Sequence, residues 1–149
     1  MTEVFEVRPI GVLRTGFSVA AGAPIQGAFV PDAEGVVEVY EEYAAGLDDV
    51  EQFSHLLLIY VLHRADGVDL RPVPFLDDRP HGVFATRHPR RPNHLAVCVV
   101  RLDRREGCRL YVRNVDALDG SPVVDIKPYV RRFDSVPDAA DGWYAARLR

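Results

Sequence analysis

The densest group of potentially reactive side chains is the loop from Arg87 to Asn93, Arg-His-Pro-Arg-Arg-Pro-Asn. Its three arginines lie within five positions and repel one another unless an anion or carboxylates neutralise them. The two prolines restrict the backbone and remove two N–H donors, so we expect a rigid loop. Guanidinium groups bind carboxylates and phosphates through paired hydrogen bonds. The segment therefore indicates either an anion-binding loop or a solvated basic loop.

Asp125 and Lys127 form a second polar group, two residues apart. On a strand this spacing places both side chains on one face, with Val124 and Ile126 on the other. The spacing is also that of an ordinary surface ion pair, worth under about 1 kcal/mol. Lys127 is the only lysine among 18 basic residues. Because an ammonium group is more compact than a guanidinium, we expect Lys127 to serve a confined site.

His55 and His63 lie at either end of the apolar run 56–62. Eight residues on a strand span about 26 Å, so the two imidazoles cannot serve one site within a subunit. Each is also explained by an ordinary hydrogen-bonded histidine at a strand end. No spacing of cysteine and histidine resembles a zinc site, and we expect no metal. The Gly-x-Gly-x-x-Gly fingerprint of a Rossmann nucleotide site is also absent.

The elements that must position these residues are short, because the 11 glycines and 11 prolines are spread along the whole chain. Strands are predicted at residues 5–13, 28–30, 36–40, 56–62, 82–86, 95–102, 108–115 and 121–126. Helical turns are predicted over 41–47 and 48–53. The uninterrupted apolar run 56–62 favours a strand buried on both faces, and a buried helix is the alternative. The pattern predicts a mainly β fold, a single small barrel-like domain over residues 1–149 with short helical turns.

Two of these runs, 95–102 and 108–115, are joined by Asp-Arg-Arg-Glu-Gly, which predicts a hairpin. With a turn over 104–107, Cys108 lies opposite Asp103 and Cys98 lies opposite Arg113. The two thiols then do not face each other, so we expect no disulfide.

Charge and hydropathy limit the classes of partner. The net charge of −4 argues against a broad basic field for nucleic acid, so such a partner would need a local patch. The N-terminus has no hydrophobic export core, and the longest apolar run, 56–62, has seven residues. We therefore expect a cytoplasmic protein without a membrane span.

Five blocks of sequence together resemble the TsaA-like (TrmO-type) methyltransferases, and they follow the order found in that family. They are Gly11–Thr15, Pro24-x-Gln26, Glu51-x-Phe53-Ser54-His55-Leu56, Gly82–Asn93 and Asp116–Tyr129. The resemblance implies a small β-barrel that uses S-adenosylmethionine and methylates N6 of threonylcarbamoyladenosine beside the tRNA anticodon. It also implies a homodimer with the methyl donor close to the subunit interface.

The resemblance further implies which residues form the site. Those expected to bind the donor are Gln26, Gly27, His63, Arg64, Arg87, His88, Asp116, Ala117 and Leu118. Those expected to contact the acceptor are Arg90, Arg91 and Asn93. Those expected in catalysis are Asp125, Lys127 and Tyr129. Asp125, Tyr129 and His94 are the candidates for a base that accepts the proton of the acceptor nitrogen.

Two features depart from the family pattern. The family usually continues Arg-Pro-Asn with Pro-Ile-Gly, whereas this chain has His94-Leu95-Ala96. The larger bacterial enzymes also carry a C-terminal domain, whereas this chain ends about twenty residues after Tyr129. Two alternatives therefore stay open beside the tRNA enzyme. One is a methyltransferase of the same fold with a small-molecule acceptor, and the other is a non-catalytic module that binds S-adenosylmethionine.

Overall fold

The computed structural model of the protein describes residues 2–17 and 33–148. Its six strands are β1 (Gly11–Thr15), β2 (Glu34–Val39), β3 (His55–Val61), β4 (Leu95–Glu106), β5 (Arg109–Arg113) and β6 (Ser121–Pro128). They form a closed barrel in the order β1-β2-β5-β4-β3-β6, and each neighbouring pair is antiparallel. The prediction of a mainly β, barrel-like fold with short helical turns is confirmed.

The barrel interior is filled by alternate residues of each strand, as the two-residue period of a strand requires. On β3, Leu56 and Leu58 point inward and are completely buried. Each fully buried leucine of this kind stabilises the fold by roughly 1.5–3 kcal/mol. The residues between and after them, Leu57, Ile59 and Val61, point outward and are half-buried. The expectation that this strand is buried on both faces is therefore wrong for its outer face.

Barrel closure depends on β1, which pairs with β2 on one side and with β6 on the other. Gly11 lies opposite both Val39 and Val123. A Cβ atom at Gly11 would overlap the carbonyl oxygen of Glu38, so only glycine allows this close approach of the strands. The first sequence block thus begins at a residue that the barrel needs for closure.

Two predicted strands differ from the structure, and a third cannot be compared with it. The run 5–13 begins too early, because residues 2–10 form no regular element and β1 starts at Gly11. The run 82–86 is instead a 3-10 helix, Val83–Ala85, whose turn is closed by a hydrogen bond from the Thr86 hydroxyl to the Val83 carbonyl at 2.8 Å. The run 28–30 lies outside the described residues. The helical turns predicted over 41–47 and 48–53 are confirmed as the 3-10 helices Glu41–Leu47 and Val50–Gln52.

The hairpin between β4 and β5 turns later than the sequence predicts. Glu106 pairs with Arg109, so the tight turn is formed by Gly107 and Cys108 rather than by residues 104–107. Gly107 has a φ of 61°, the left-handed conformation that such two-residue turns require. A bulge at Asp103 then shifts the register of the remaining pairs.

This register changes the neighbours predicted for the two cysteines. Arg113 pairs with Arg101, not with Cys98. Cys98 pairs with Leu58 of β3 and is buried, whereas Cys108 lies in the turn. This register keeps the two thiols apart, and no disulfide joins Cys98 to Cys108 in the structure.

The chain divides into two compact units. The first consists of Met1–His63 and Leu95–Tyr129 and contains the barrel. The second consists of Arg64–His94 and Val130–Arg149, and it holds a short helix, α1 (Arg131–Asp134). The single domain over 1–149 stays a prediction. Across the residues that the structure describes, no helix has the length and apolar character needed to span a bilayer.

The second unit is held together by its own aromatic and ionic contacts. The Trp143 ring stacks on His81 with 4.4 Å between centroids, and its Nε1–H donates to the Ala85 carbonyl at 2.8 Å. The nearly inaccessible Asp77 carboxylate accepts from His81 Nε2 at 2.6 Å and from Arg147 at 2.7 Å. The hydrogen bond from His81, followed by that from the Asp78 backbone, holds the pKa of Asp77 far below its usual range.

Candidate functional site

A buried carboxylate marks the turn between β5 and β6. Asp116 is buried and accepts a hydrogen bond from the hydroxyl of Tyr60, at 2.8 Å. Tyr60 lies on β3, 56 residues away in sequence, and its ring is part of the barrel core. A buried charged group is tolerated only when it is hydrogen-bonded, so this contact fixes where the turn can lie.

The same turn is fastened to the end of β1. The Thr15 hydroxyl donates to the Ala117 carbonyl at 2.9 Å, and the Thr15 backbone N–H donates to the Asp119 carboxylate at 3.0 Å. The backbone N–H of Asp119 donates to the Phe17 carbonyl at 2.6 Å. These contacts join the turn to the last described residues before the gap at 18–32. Gln26 and Gly27, predicted to bind the donor, lie outside the described residues.

His63 completes this cluster from the end of β3. It is exposed, and its Nδ1 lies 3.5 Å from the hydroxyl oxygen of Ser121. That hydroxyl donates to the Leu118 carbonyl at 2.6 Å. The structure thus brings together four of the residues predicted to bind the donor. They are His63, Asp116, Ala117 and Leu118.

The other predicted binding residues lie in the second unit, where arginines organise the loop backbone. The Arg91 guanidinium donates to the carbonyls of Thr86 and His88, at 2.9 and 3.2 Å. Arg90 donates from Nε to the Asp66 carbonyl at 2.9 Å. Arg91 therefore works largely within the loop, and the rigid loop predicted from the two prolines gains further support from these bonds. Arg64, Arg87 and Asn93 belong to the same unit and are exposed.

His88 has an environment that favours the neutral imidazole. Burial lowers its pKa from the usual value, and the charges of Arg90 and Arg91 lower it further, against the opposing effect of Asp69. The backbone N–H of Arg90 donates to His88 Nδ1 at 3.2 Å, which requires a lone pair on that nitrogen. In the neutral form the proton therefore lies on Nε2, and this nitrogen is a hydrogen-bond donor for a ligand.

His94, where the family usually has proline, adopts a φ of 51°. Proline cannot adopt this angle, because its ring holds φ near about −65°. His94 Nε2 donates to the Gly67 carbonyl at 2.8 Å. The departure from the family pattern is therefore also a difference in backbone conformation.

The predicted catalytic residues lie toward the opposite end of β6 from the Asp116 turn. Lys127 Nζ lies 3.0 Å from the Asp125 carboxylate, and the Lys127 side chain is 57% exposed. The Tyr129 ring lies 6.4 Å from that of His55. Eight residues of strand separate Ser121 from Tyr129, about 26 Å. Within one chain the structure does not bring these residues to the turn, and it does not enclose Lys127 in the confined site that we expected.

A bulge changes which residues of β6 face inward. Asp125 pairs with Ile59 and Val123 pairs with the next residue of β3, Tyr60, so Val124 is the extra residue of the bulge. Val123 is fully buried, whereas Val124 is not. The strict alternation that we expected, with Val124 and Ile126 on one face, is therefore interrupted by the bulge.

Sequence reasoning missed Tyr60 and Thr15. Tyr60 stands in the apolar run that predicts β3, and a buried tyrosine hydroxyl needs a hydrogen-bond partner. That signal predicts a polar neighbour without identifying Asp116. Thr15 stands at the end of the first sequence block, but nothing in its local sequence indicates its two partners in the turn.

Comparisons with known proteins identify the family. Residues 12–135 match the model of the tRNA-methyltransferase O N-terminal domain. The chain belongs to this family. A probable S-adenosyl-L-methionine-binding protein of Pyrococcus abyssi is 48% identical over 136 residues, which are 91% of this chain and 74% of that protein. A tRNA (adenine(37)-N6)-methyltransferase of Rattus norvegicus is 32% identical, covering 85% of this chain and 31% of the relative.

The barrel is similar to a solved member of the family. The crystal structure of TrmO from Pseudomonas aeruginosa superposes with a TM-score of 0.81 at 38% identity. The match covers 94% of this chain but only 62% of that chain. The resemblance drawn from the sequence blocks is confirmed, and with it the prediction of a methyltransferase that uses S-adenosylmethionine.

The described residues fit this donor. S-adenosylmethionine carries hydroxyls and a positively charged ammonium, for which the fixed carboxylate of Asp116 is a suitable partner. His63 and the Ala117–Leu118 backbone border the same turn. Within residues 2–17 and 33–148, no group of three or more His, Cys, Asp or Glu side chains is placed to hold a metal ion.

Proposed function

We propose that this chain transfers a methyl group to N6 of threonylcarbamoyladenosine next to a tRNA anticodon. The observation that carries the proposal is the match of residues 12–135 to the tRNA-methyltransferase O domain. The named activity of the rat relative, a tRNA (adenine(37)-N6)-methyltransferase, supports the same acceptor. A tRNA substrate also supports the expected cytoplasmic location.

Methyl transfer mainly requires that donor and acceptor are held in the correct alignment. S-adenosylmethionine supplies a methyl group already activated on a sulfonium sulfur. The protein must hold donor and acceptor so that nitrogen, methyl carbon and sulfur lie in line. Asp116, fixed by Tyr60 and bordered by Ala117 and Leu118, is proposed to hold the donor. The other residues proposed to bind the donor are Gln26, Gly27, His63, Arg64, Arg87 and His88.

The acceptor nitrogen loses a proton during transfer, and a base accepts it. Asp125 and Tyr129 keep this proposed role, with Lys127 orienting Asp125 through their 3.0 Å contact. Arg90, Arg91 and Asn93 are proposed to contact the acceptor.

The outer face of β3 and β4 supports a homodimer. We define this outer face as Leu57, Ile59 and Val61 of β3 together with Leu95, Val97 and Val99 of β4. The two rows pair directly, Leu57 with Val99, Ile59 with Val97 and Val61 with Leu95. The three β4 side chains are 37–40% exposed in the isolated chain. A contiguous apolar patch of this kind is typical of a protein interface, and a second copy would cover it with the same face.

The proposed interface would also include two of the predicted catalytic residues. Asp125 pairs with Ile59 and Lys127 pairs with Leu57 across β6 and β3. Since paired residues share a face of the sheet, both polar side chains border the outer face. A second copy seated there would place them at the subunit interface.

The test is methyl transfer by the purified protein to tRNA isolated from a strain that lacks the gene. Nucleoside mass spectrometry should show a gain of one methyl group on threonylcarbamoyladenosine. Calorimetry should show binding of S-adenosylmethionine without added metal. Binding of tRNA should weaken steeply with salt, because phosphate contacts release counterions. An Asp116→Asn variant tests whether methyl transfer depends on the proposed donor site.

The results separate the alternatives. Donor binding with no methyl transfer to tRNA, together with transfer to a small acceptor, would replace the tRNA proposal with the small-molecule enzyme. Donor binding with no transfer to any acceptor would leave a binding module. Failure of folded protein to bind either S-adenosylmethionine or S-adenosylhomocysteine would contradict the donor assignment itself.

A further inference from the structure

The acidic net charge of the chain conceals an uneven distribution between its two units. The second unit contains ten arginines and seven aspartates, a net charge of +3. Since the whole chain carries −4, the first unit carries −7. The positive surface that a polyanionic partner requires is therefore found in the smaller unit.

The arginines of the two units also differ in how they are paired. In the barrel, Arg14 contacts Glu38 at 3.0 Å, Arg104 contacts Glu106 at 2.9 Å and Arg113 contacts Asp103 at 2.6 Å. In the second unit, five arginines form no ion pair with any carboxylate among the described residues. They are Arg71, Arg90, Arg91, Arg131 and Arg132. Their charge remains available to phosphates.

Phe84 is presented to solvent from a rigid part of this positive unit. Its side chain is 78% exposed, although it is large and apolar. The preceding residue, Val83, is almost completely buried, and its N–H donates to the Leu70 carbonyl at 2.9 Å. The following residue, Ala85, accepts the Trp143 indole N–H at 2.8 Å. Both neighbours are thus anchored while the ring between them is left in water.

Arginines flank this ring along the chain and across the adjoining segment. Arg87 follows Phe84 by three residues. Arg71 lies between Leu70 and Pro72, whose carbonyls accept the N–H groups of Val83 and His81. These backbone hydrogen bonds therefore hold the segment around Arg71 alongside the segment that leads into Phe84.

We propose that Phe84 stacks on an unpaired base of the RNA substrate while Arg71 binds the neighbouring phosphate. Every base offers an apolar π face, and exposed aromatic rings beside arginines are how proteins hold single-stranded nucleic acid. This inference rests on the proposed function and adds a positioning residue for its acceptor. Charge favours RNA over a protein partner, because Arg71 forms no ion pair with a carboxylate of the described residues and the second unit carries a net charge of +3.

The experiment measures the affinity of the full chain for two fluorescently labelled RNAs by anisotropy. One is an anticodon stem-loop, and the other is a fully paired duplex of the same length. Phe84→Leu should weaken binding of the stem-loop about tenfold and leave the duplex unchanged, because only unpaired bases can stack. Phe84→Trp should restore stem-loop binding. Arg71→Gln should weaken both RNAs and reduce the salt slope by about one phosphate contact.

Phe5→Leu is the matched control. Phe5 is 81% exposed, close to Phe84, but it stands between Glu3 and Glu6 in the acidic unit. The Phe5→Leu variant should bind both RNAs with the affinity of the wild type. Thermal unfolding of all variants checks that folding is preserved.

Several results would overturn the inference. One is an unchanged affinity of Phe84→Leu for the stem-loop, and another is an equal loss of its affinity for the duplex. A wild type that binds no RNA measurably, or an equal loss of affinity for S-adenosylmethionine in Phe84→Leu, would also overturn it. Dissociation of a dimer by Phe84→Leu, with RNA affinity unchanged, would assign the ring to a protein interface instead. Methyl transfer by the wild type is measured separately. Failure of that assay removes the proposed function, whereas the two RNA affinities decide the role of Phe84.

Discussion

Tyr60→Phe is the substitution that tests the candidate donor site most directly. It removes one oxygen atom from a ring packed in the barrel core, and with it the 2.8 Å hydrogen bond to the Asp116 carboxylate. The shape of the core is otherwise preserved. We expect the Asp116 turn to lose both stability and its fixed position.

The size of the effect follows from the kind of bond that is lost. A hydrogen bond to a charged group contributes about 1.5–3 kcal/mol. Because Asp116 is buried, water cannot fully replace the lost donor. The free energy of unfolding should therefore fall by about 1.5–3 kcal/mol. For a chain of this length each kcal/mol lowers the melting temperature by about 2–4 °C.

Two assays on the same preparation check this. Denaturant unfolding gives the free energy of unfolding, and calorimetry gives the dissociation constant for S-adenosylmethionine. If the turn holds the donor, its displacement should weaken binding about tenfold or more, equivalent to about 1.4 kcal/mol. Tyr43→Phe is the matched control. Its ring is 36% exposed, and its hydroxyl makes no hydrogen bond with the described residues.

The two readouts can fail independently. Lower stability with unchanged donor affinity would assign Asp116 a purely structural role and remove it from the donor site. Unchanged stability would mean that the buried hydrogen bond contributes little, against the reasoning from burial.

Four further changes test other parts of the molecule. Lys127→Arg should alter the unfolding free energy by less than about 1 kcal/mol but lower methyl transfer at least about tenfold. Full activity of the variant would mean that Lys127 forms only an ordinary ion pair with Asp125. His94→Pro should destabilise the chain by about 1–3 kcal/mol in urea unfolding, whereas asparagine, which tolerates positive φ, should not. Asp77 has a lowered pKa in the fold, so its stabilisation is present above its unfolded pKa of about 3.9 and disappears as pH falls below it. The free energy of unfolding of Asp77→Asn, measured across pH 2–6, roughly the range of carboxylate titration, should not show that loss of stability in acid. Val97→Asp should convert a dimer to monomers in sedimentation equilibrium, while a wild type that is itself monomeric would contradict the outer-face proposal.

Local sequence was sufficient for the class of fold but not for strand register. The apolar runs identified five strands, β2 to β6, near their observed positions, because β-branched residues and turn signals act over a few neighbours. The bulges at Asp103 and Val124 each add one residue to a strand. A single added residue exchanges inner and outer faces, and only packing against the facing strand determines it.

The candidate site was predictable in part for a similar reason. The resemblance selected Asp116, Ala117 and Leu118 as donor-binding residues, and these three do form one hydrogen-bonded turn with a buried carboxylate. Tyr60 and Thr15, which hold that turn, lie 56 and 102 residues from their partners. Such contacts depend on barrel closure, which no local pattern specifies.

Barrel closure and the candidate donor site depend on the same short piece of chain. Ser121 begins β6, pairs with Leu13 of β1, and donates its hydroxyl to Leu118 in the turn. Opening of the β1–β6 seam would therefore displace the turn and release Asp116 from its fixed position. Any ligand that binds only the closed turn must stabilise the seam, and the more so the further its concentration exceeds its dissociation constant, because binding to the native state alone shifts the folding equilibrium. Donor binding should for this reason protect the backbone amides of β1 and the start of β6 from hydrogen exchange more than those of the β4–β5 turn.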